Sequence, residues 1–198
     1  MDIDELISIV TLKKLEDNKF EGQNYKTVWG RIFGGQVLSQ SLHAAYQTVP
    51  ENRIAHSMHA YFILPGDLNE PVIYEVDNIR NGGSFTTRRV VAFQKGRAIF
   101  NMAASFQKDE EGFDHQIQMP NVLSPDLLLT DFEQAEKFKE ELAERYQIFL
   151  AAHPKVFDFK PVGTNIFLRK ENALPINHCW FRLKDKIDMP LQFHHQLL

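Results

Sequence analysis

The sequence predicts an α+β fold, an antiparallel sheet with one apolar face laid over a single helix. Three observations carry this. From Ile32 to Pro50 there is no Asp, Glu, Lys or Arg, and Val37, Leu38, Leu42 and Ala45 recur at helical spacing; an uncharged helix is one covered on most sides by protein. From Ile54 to Gln107 the period falls to two, over four runs of strand length parted by turn residues. A sheet with one apolar face needs a cover, and the uncharged helix just ahead of the strands supplies it.

In chain order, Leu6, Ile7, Ile9, Val10, Leu12 and Leu15 mark a short amphipathic helix over 6–15. Phe20 to Trp29 reads as a first strand. Arg31 and Gly34-Gly35 mark the start of the central helix and Pro50 its end. Small residues along it (Ser39, Ser41, Ala44, Ala45) let neighbouring backbone come close. Ile54–Leu64 is the next strand, with Ile54, His56, Met58, Ala60, Phe62 and Leu64 on one face. Pro65-Gly66-Asp67 turns the chain. Pro71–Arg80 follows, with Val72, Tyr74 and Val76 on one face, and Asn81-Gly82-Gly83 turns it again. Phe85–Gln94 and Arg97–Gln107 are joined at Lys95-Gly96 as a tight hairpin; Ala98, Phe100, Met102, Ala104 and Phe106 share a face. Asp109–Asp126 reads as a linker. Thr130-Asp131-Phe132-Glu133 fits a capping box opening a charged helix over 131–151, with a narrow stripe of Phe138, Leu142 and Phe149, stopped by Pro154. Strands return over Val156–Phe167 and Ile176–Lys184, and a helix starts after Asp188-Met189-Pro190.

The 198 residues carry 22 Lys+Arg against 26 Asp+Glu, a net charge of −4, with 43% hydrophobic and 24% charged residues. These values exclude a disordered, collagenous or coiled-coil chain. The mildly negative balance argues against a nucleic-acid binder. Gln36, Gln40, His43 and Gln47 interrupt the uncharged stretch, so no membrane span is expected. The one cysteine, Cys179, excludes an intrachain disulfide and fits a cytoplasmic compartment. The acidic start lacks the pattern of a signal peptide, and Gln196-Leu197-Leu198 is no peroxisomal targeting tripeptide. The 16 phenylalanines fit either an acyl-sized pocket or a Phe-rich core.

Few residues announce chemistry. The sequence contains no Cys-x-x-Cys pair, Gly-x-Ser-x-Gly elbow or phosphate loop. Phe33-Gly34-Gly35-Gln36 opens the central helix, where free N–H groups and a partial positive charge stabilise developing negative charge on a carbonyl oxygen; alternatively, the glycines only let the helix pass close to a strand. His56, counted onto the apolar strand face, is a candidate base or ligand-positioning donor, or else a hydrogen-bonded core histidine. Arg88 and Arg89 lie on opposite faces, one a candidate for substrate phosphates and the other for solvent. His194 and His195 are adjacent on a helix, about 100° apart, and make a poor chelate, so no metal site is expected.

Several long segments carry a resemblance. Gly30-Arg31-Ile32-Phe33-Gly34-Gly35-Gln36-Val37-Leu38-Ser39-Gln40-Ser41-Leu42, His56-Ser57-Met58-His59-Ala60-Tyr61-Phe62-Ile63-Leu64-Pro65-Gly66-Asp67 and Ser84-Phe85-Thr86-Thr87-Arg88-Arg89-Val90 resemble acyl-CoA thioesterase II, the bacterial TesB and peroxisomal thioesterase family. Phe100–Gln107 and Gly112-Phe113-Asp114-His115-Gln116 continue the match in order, and the likeness runs over nearly the whole chain. It implies a double hotdog, two units in one chain, each a sheet wrapped around a helix. On that reading residues 1–110 form a complete hotdog, 111–154 a linker with a charged helix, and 155–198 the beginning of a second hotdog.

The resemblance also implies hydrolysis of fatty acyl-CoA to free fatty acid and coenzyme A, without a cofactor. Water would be activated by an Asp, a hydroxyl residue and a Gln, all expected beyond Leu198, so low activity of these 198 residues alone is an expectation. Gly34, Gly35, Gln36, His56 and Arg88 are then expected on the substrate side, with His56 the one candidate base. A homo-oligomer is expected. A competing reading is a non-catalytic, acyl-CoA-binding or self-associating hotdog module. Another is a hotdog dehydratase or single-domain thioesterase using His56 or Asp67.

Overall fold

The computed structural model describes residues 1–27, 30–141, 144, 147, 155–163 and 175–197. They form two units: Ile3–Phe113 with Asp188–Leu198, and Asp114–Ile187 with Met1–Asp2.

The first unit is a six-stranded antiparallel sheet around a helix. Its elements are α1 (Ile3–Val10), β1 (Lys13–Glu16), β2 (Lys19–Gly22), α2 (Gly34–Tyr46), β3 (Arg53–Phe62), β4 (Val72–Asn81), β5 (Phe85–Gln94) and β6 (Arg97–Lys108). The strand order is β1-β2-β4-β5-β6-β3. α2 buries Val37, Leu42, Ala44 and Ala45 against Phe20, Val72, Tyr74, Val90, Phe100, Met102 and Phe106. The apolar faces read from the β4 and β6 sequences are the ones that meet the helix. The β5–β6 hairpin turns at Lys95 (φ 50°) and Gly96 (φ 72°), the left-handed pair that matches the twist of the flanking strands.

Several expectations are corrected. The helix expected over 6–15 is Ile3–Val10, and residues 13–16 are a strand paired with β2; Asn18, at φ 61°, makes the sharp turn between them. The strand expected over 20–29 ends at Gly22. Beyond it the backbone bonds to α2 instead of to a strand: the Gln23 carbonyl accepts from Gln36 Nε2 (3.2 Å) and Gln40 Nε2 (2.9 Å), and the Tyr25 amide donates to Gln36 Oε1 (3.0 Å). α2 ends at Tyr46, ahead of Pro50, where Thr48 Oγ1 donates to the Ala45 carbonyl.

In β3 the period-two count fails at one residue. Ala55 pairs with Phe106 and Ser57 with Ser105, so the register shifts across His56. That extra residue is a bulge, and it exchanges faces for everything before it. Ala55, not Ile54 or His56, shares the inner side with Ala60.

In the second unit α3 (Asp131–Lys137) opens on the expected capping box: the Glu133 amide donates to Thr130 Oγ1 and the Thr130 amide to Glu133 Oε2. The regular helix breaks after Lys137 into one turn of 3₁₀ helix over Lys139–Glu141, where Glu136 and Glu140 would stand as like charges one turn apart in a continuous helix. Glu144 and Gln147 are again helical, and the rest of the helix expected to 151 lies outside the described residues. Leu142, Phe149 and Pro154 lie outside the described residues, as do Ile166 and Phe167. β7 (Phe157–Pro161) and β8 (Cys179–Leu183) pair antiparallel, shorter than the two strands expected there.

The last helix, α4 (Leu191–Leu197), belongs to the first unit. Phe193 meets His43 of α2 edge to face, and Ser39 Oγ donates to the Gln196 carbonyl. No helix of the described residues is long and apolar enough to cross a membrane.

Candidate functional site

A cleft of about 700 Å³ opens at the amino end of α2. Its buried walls are Ile32, Val37, Ile99 and Phe100, and its rim carries Phe33, Phe62, Ile63 and Leu64. The walls are held by backbone bonds: the Ile32 amide donates to Gly66 O, and the Ile63 and Leu64 amides both donate to Ile99 O. Phe33 is the N-cap of α2 and gives no side-chain bond. The first intrahelical amides, those of Gln36 and Val37, donate to Phe33 O. The Gly34 and Gly35 amides therefore precede the helical ladder, at its positive end. Among the described residues, Arg31 is the one ionisable residue lining the cleft. The arrangement suits an apolar chain whose polar end meets peptide N–H groups.

Each glycine has an aromatic ring close over it: a Cβ on Gly34 would lie 2.9 Å from Phe62 Cε1 and one on Gly35 would meet Phe33 Cε1, so either ring would have to shift to admit a side chain. Phe62 in turn meets Phe100 edge-on, with ring centroids 5.0 Å apart.

Of the residues singled out from sequence, the structure brings Gly34 to the cleft, with Gly35 beside it. Gln36 is buried and turned away from the lining: besides Gln23 and Tyr25, it bonds Asn24 Oδ1 (3.0 Å). It holds the segment ahead of the helix, a positioning task.

His56 does not face the helix, as the strand count expected. Its side chain is exposed, with Nε2 2.9 Å from Ser105 Oγ and its ring against Phe85. The bulge turns it to the outer face.

Arg88 is 1% exposed, and all five of its N–H groups are spent inside the fold. They donate to Thr48 Oγ1 and O, Arg80 O, Thr87 O and Asn81 Oδ1. Arg88 thus ties the end of α2 to the β4–β5 turn. Arg89, on the opposite face, pairs with Asp77 at 2.8 Å. Asp67 is bound by Lys95 Nζ (2.8 Å) and the Asn69 amide (3.0 Å), which hold its carboxyl below the usual range.

Sequence reasoning missed the aromatic rim. Phe33 and Phe62 are each 63% exposed, which a period-two or helical count assigns to the core. It also missed His43, 6% exposed within the uncharged helix. Its Nδ1 lies 2.6 Å from Gln196 Oε1 and its Nε2 3.3 Å from Gln47 Nε2. Burial pushes its pKa below the ordinary value, while the Gln196 bond opposes the shift.

Comparison with known proteins places these features in a wider setting. The acyl-CoA thioesterase N-terminal domain family matches over residues 24–107. Acyl-CoA thioesterase 2 of Haemophilus influenzae is 34% identical over 196 residues, covering 99% of this chain and 68% of that protein. Human acyl-coenzyme A thioesterase 8 is 34% identical over 186 residues, 91% of this chain and 58% of that one.

Among solved structures, acyl-CoA thioesterase II TesB2 of Mycobacterium marinum superposes with a TM-score of 0.73 at 32% identity, over 96% of this chain and 65% of that one. A hotdog-fold protein of Alicyclobacillus acidocaldarius gives 0.68 at 18% identity, over 91% of this chain and 62% of that one. The fold of the sheet and its helix is a hotdog. The chain spans between 58% and 68% of the lengths of these relatives.

Proposed function

Because this chain belongs to the acyl-CoA thioesterase family, we propose that it is the amino-terminal hotdog of an enzyme that hydrolyses fatty acyl-CoA to free fatty acid and coenzyme A. The observation that carries this is the cleft at the amino end of α2. Its apolar walls take the acyl chain. The Gly34 amide, at the positive end of the helix, polarises the thioester carbonyl and stabilises the charge that grows on its oxygen. Gln36 acts one step removed, by fixing Gln23–Tyr25 against the helix. His56 and Arg88 support the fold at the bulge and at the β4–β5 turn.

Among the described residues, those lining the cleft include no carboxylate, histidine or hydroxyl side chain. The cleft therefore binds and polarises, and the group that activates water comes from outside its lining. On the family resemblance, β7 and β8 open a second hotdog, the part from which water activation is expected. The lone cysteine fits a reducing compartment such as the cytoplasm.

Equilibrium titration of the 198-residue protein with acyl-CoAs of several chain lengths, alongside coenzyme A alone, tests the reading. Saturable binding that tightens with acyl length, beyond that of coenzyme A, is expected. Equal binding of coenzyme A and every acyl-CoA would sink it.

The free edge of β3 favours a second feature, self-association. Among the described residues, β3 pairs with β6 on one side and ends the sheet on the other, and Met58, Tyr61 and Phe62 are exposed along it.

A further inference from the structure

Phe62 lines the cleft beside Gly34. It ends β3, and its ring edge lies between the first residue of α2 and Phe100. The space it leaves can be gauged on the glycine beside it. A single added carbon at Gly34 would come within 2.9 Å of Phe62 Cε1 and 3.1 Å of Cζ, closer than carbon atoms pack. The ring edge therefore lies against the first residue of α2 and would have to shift to admit a methyl group on that residue.

The ring is not loose on its other side either. Phe100, 1% exposed, backs it edge-on at 5.0 Å, and the Ile63 and Leu64 amides pin the following backbone to Ile99 O at 2.9 and 3.1 Å. Phe33, equally exposed, differs in position: its tight contact is with Gly35, which does not line the cleft.

We propose that Phe62 is a specificity-determining residue, selecting acyl groups unbranched at the carbon next to the thioester carbonyl. The proposal rests on the acyl-CoA reading of the cleft. With the carbonyl at the Gly34 amide, the neighbouring acyl carbon lies beside the same ring edge. A methyl branch there meets the Phe62 ring as a Gly34 Cβ would, whereas a straight chain passes along Ile32, Val37 and Ile99. Phe33 adds apolar contact at the rim and treats both kinds of chain alike.

The test compares the keto-thioether analogue of decanoyl-CoA, which cannot be hydrolysed, with its α-methyl-branched counterpart. Binding of each is measured by calorimetry to the 198-residue protein and to the Phe62→Ala, Phe62→Leu and Phe33→Ala variants, with far-UV circular dichroism and melting confirming each fold. The wild type should prefer the straight analogue by about tenfold or more, the range one ill-fitting methyl commands. Phe62→Ala should bring that preference to within about twofold, a loss of most of the same methyl discrimination, and Phe62→Leu should fall between. Phe33→Ala should weaken both analogues together and leave their ratio unchanged. If a folded Phe62→Ala keeps the wild-type ratio, or Phe33→Ala alters it as much, the selectivity role is overturned while the acyl-CoA reading stands. If the wild type binds neither analogue, the acyl-CoA reading fails and the inference falls with it.

Discussion

At His43 the hydrogen bonds fix the tautomer. Gln196 Nε2 donates to the Gln192 carbonyl at 2.9 Å, so Gln196 presents its Oε1 to His43, and Nδ1 is the imidazole donor. Nε2 is then an acceptor, matched by the Gln47 amide. A proton on Nε2 would set donor against donor in a buried place. Burial likewise holds the folded pKa below the ordinary 6.5, so the unfolded chain takes the proton first. Stability is therefore complete above about pH 6.5 and falls as pH drops from there through the depressed folded value. Urea unfolding from neutral to mildly acid pH should show this loss in the wild type, and a shallower one in His43→Gln; parallel curves would refute it. No pattern in the sequence marks this residue, because its partner lies 153 positions away. His56 shows the converse. Its type and strand position were legible, but one unpaired residue reversed its direction, and a bulge leaves no composition signal of its own.

The elements most legible from sequence are those whose cause is local. The β5–β6 turn needs two residues in left-handed backbone, and Lys95-Gly96 supplies them. At Gly96 nothing lies within 4 Å of an added Cβ, so Gly96→Ala meets no clash and isolates the backbone cost. A loss of about 1–2 kcal/mol is expected, read as a lower urea midpoint with an unchanged slope; a change below experimental error would mean the hairpin relaxes to another turn. The capping box at Thr130 was equally readable, since both of its bonds close within four residues. The end of β2 was not. Apolar and aromatic residues run on past Gly22, but the glutamines of α2, Gln36 and Gln40, claim the Gln23 carbonyl. Gln40 also accepts from Tyr74 Oη at 2.5 Å and donates to Ile9 O at 2.6 Å, and a Cβ at Gly22 would lie 2.8 Å from its Oε1. A strand that ends because distant side chains take its hydrogen bonds cannot be bounded by periodicity. The cleft was legible only at its glycines, for the same reason: its walls come from α2, β3 and β6 together.

Across the first unit the two margins of the sheet differ in kind. β1 is four residues long and carries Lys13, Lys14 and Glu16, all exposed. Short, charged edges discourage pairing with another chain. β3 is ten residues long, and from Ile54 to Phe62 it bears no Asp, Glu, Lys or Arg. Its exposed Met58 and Tyr61 sit on opposite faces by their register with Ala104 and Asn101, so both faces of that margin are apolar or aromatic. Such an edge invites one more strand, and a second copy of this chain offers the same edge for a two-fold antiparallel pairing. Sedimentation velocity over a concentration series should show a reversible dimer. Introducing like charges on both faces, Met58→Lys with Tyr61→Lys, should shift it at least tenfold toward monomer, since opposed like charges in a paired ladder are each worth up to about 1 kcal/mol and occur twice across a two-fold axis. Both changes lie on an exposed edge, outside the lining of the cleft, so the variant should keep its fold and its acyl-CoA binding. A wild type that sediments as a monomer throughout, or a variant that dimerises as well as the wild type, would remove β3 as the joining edge.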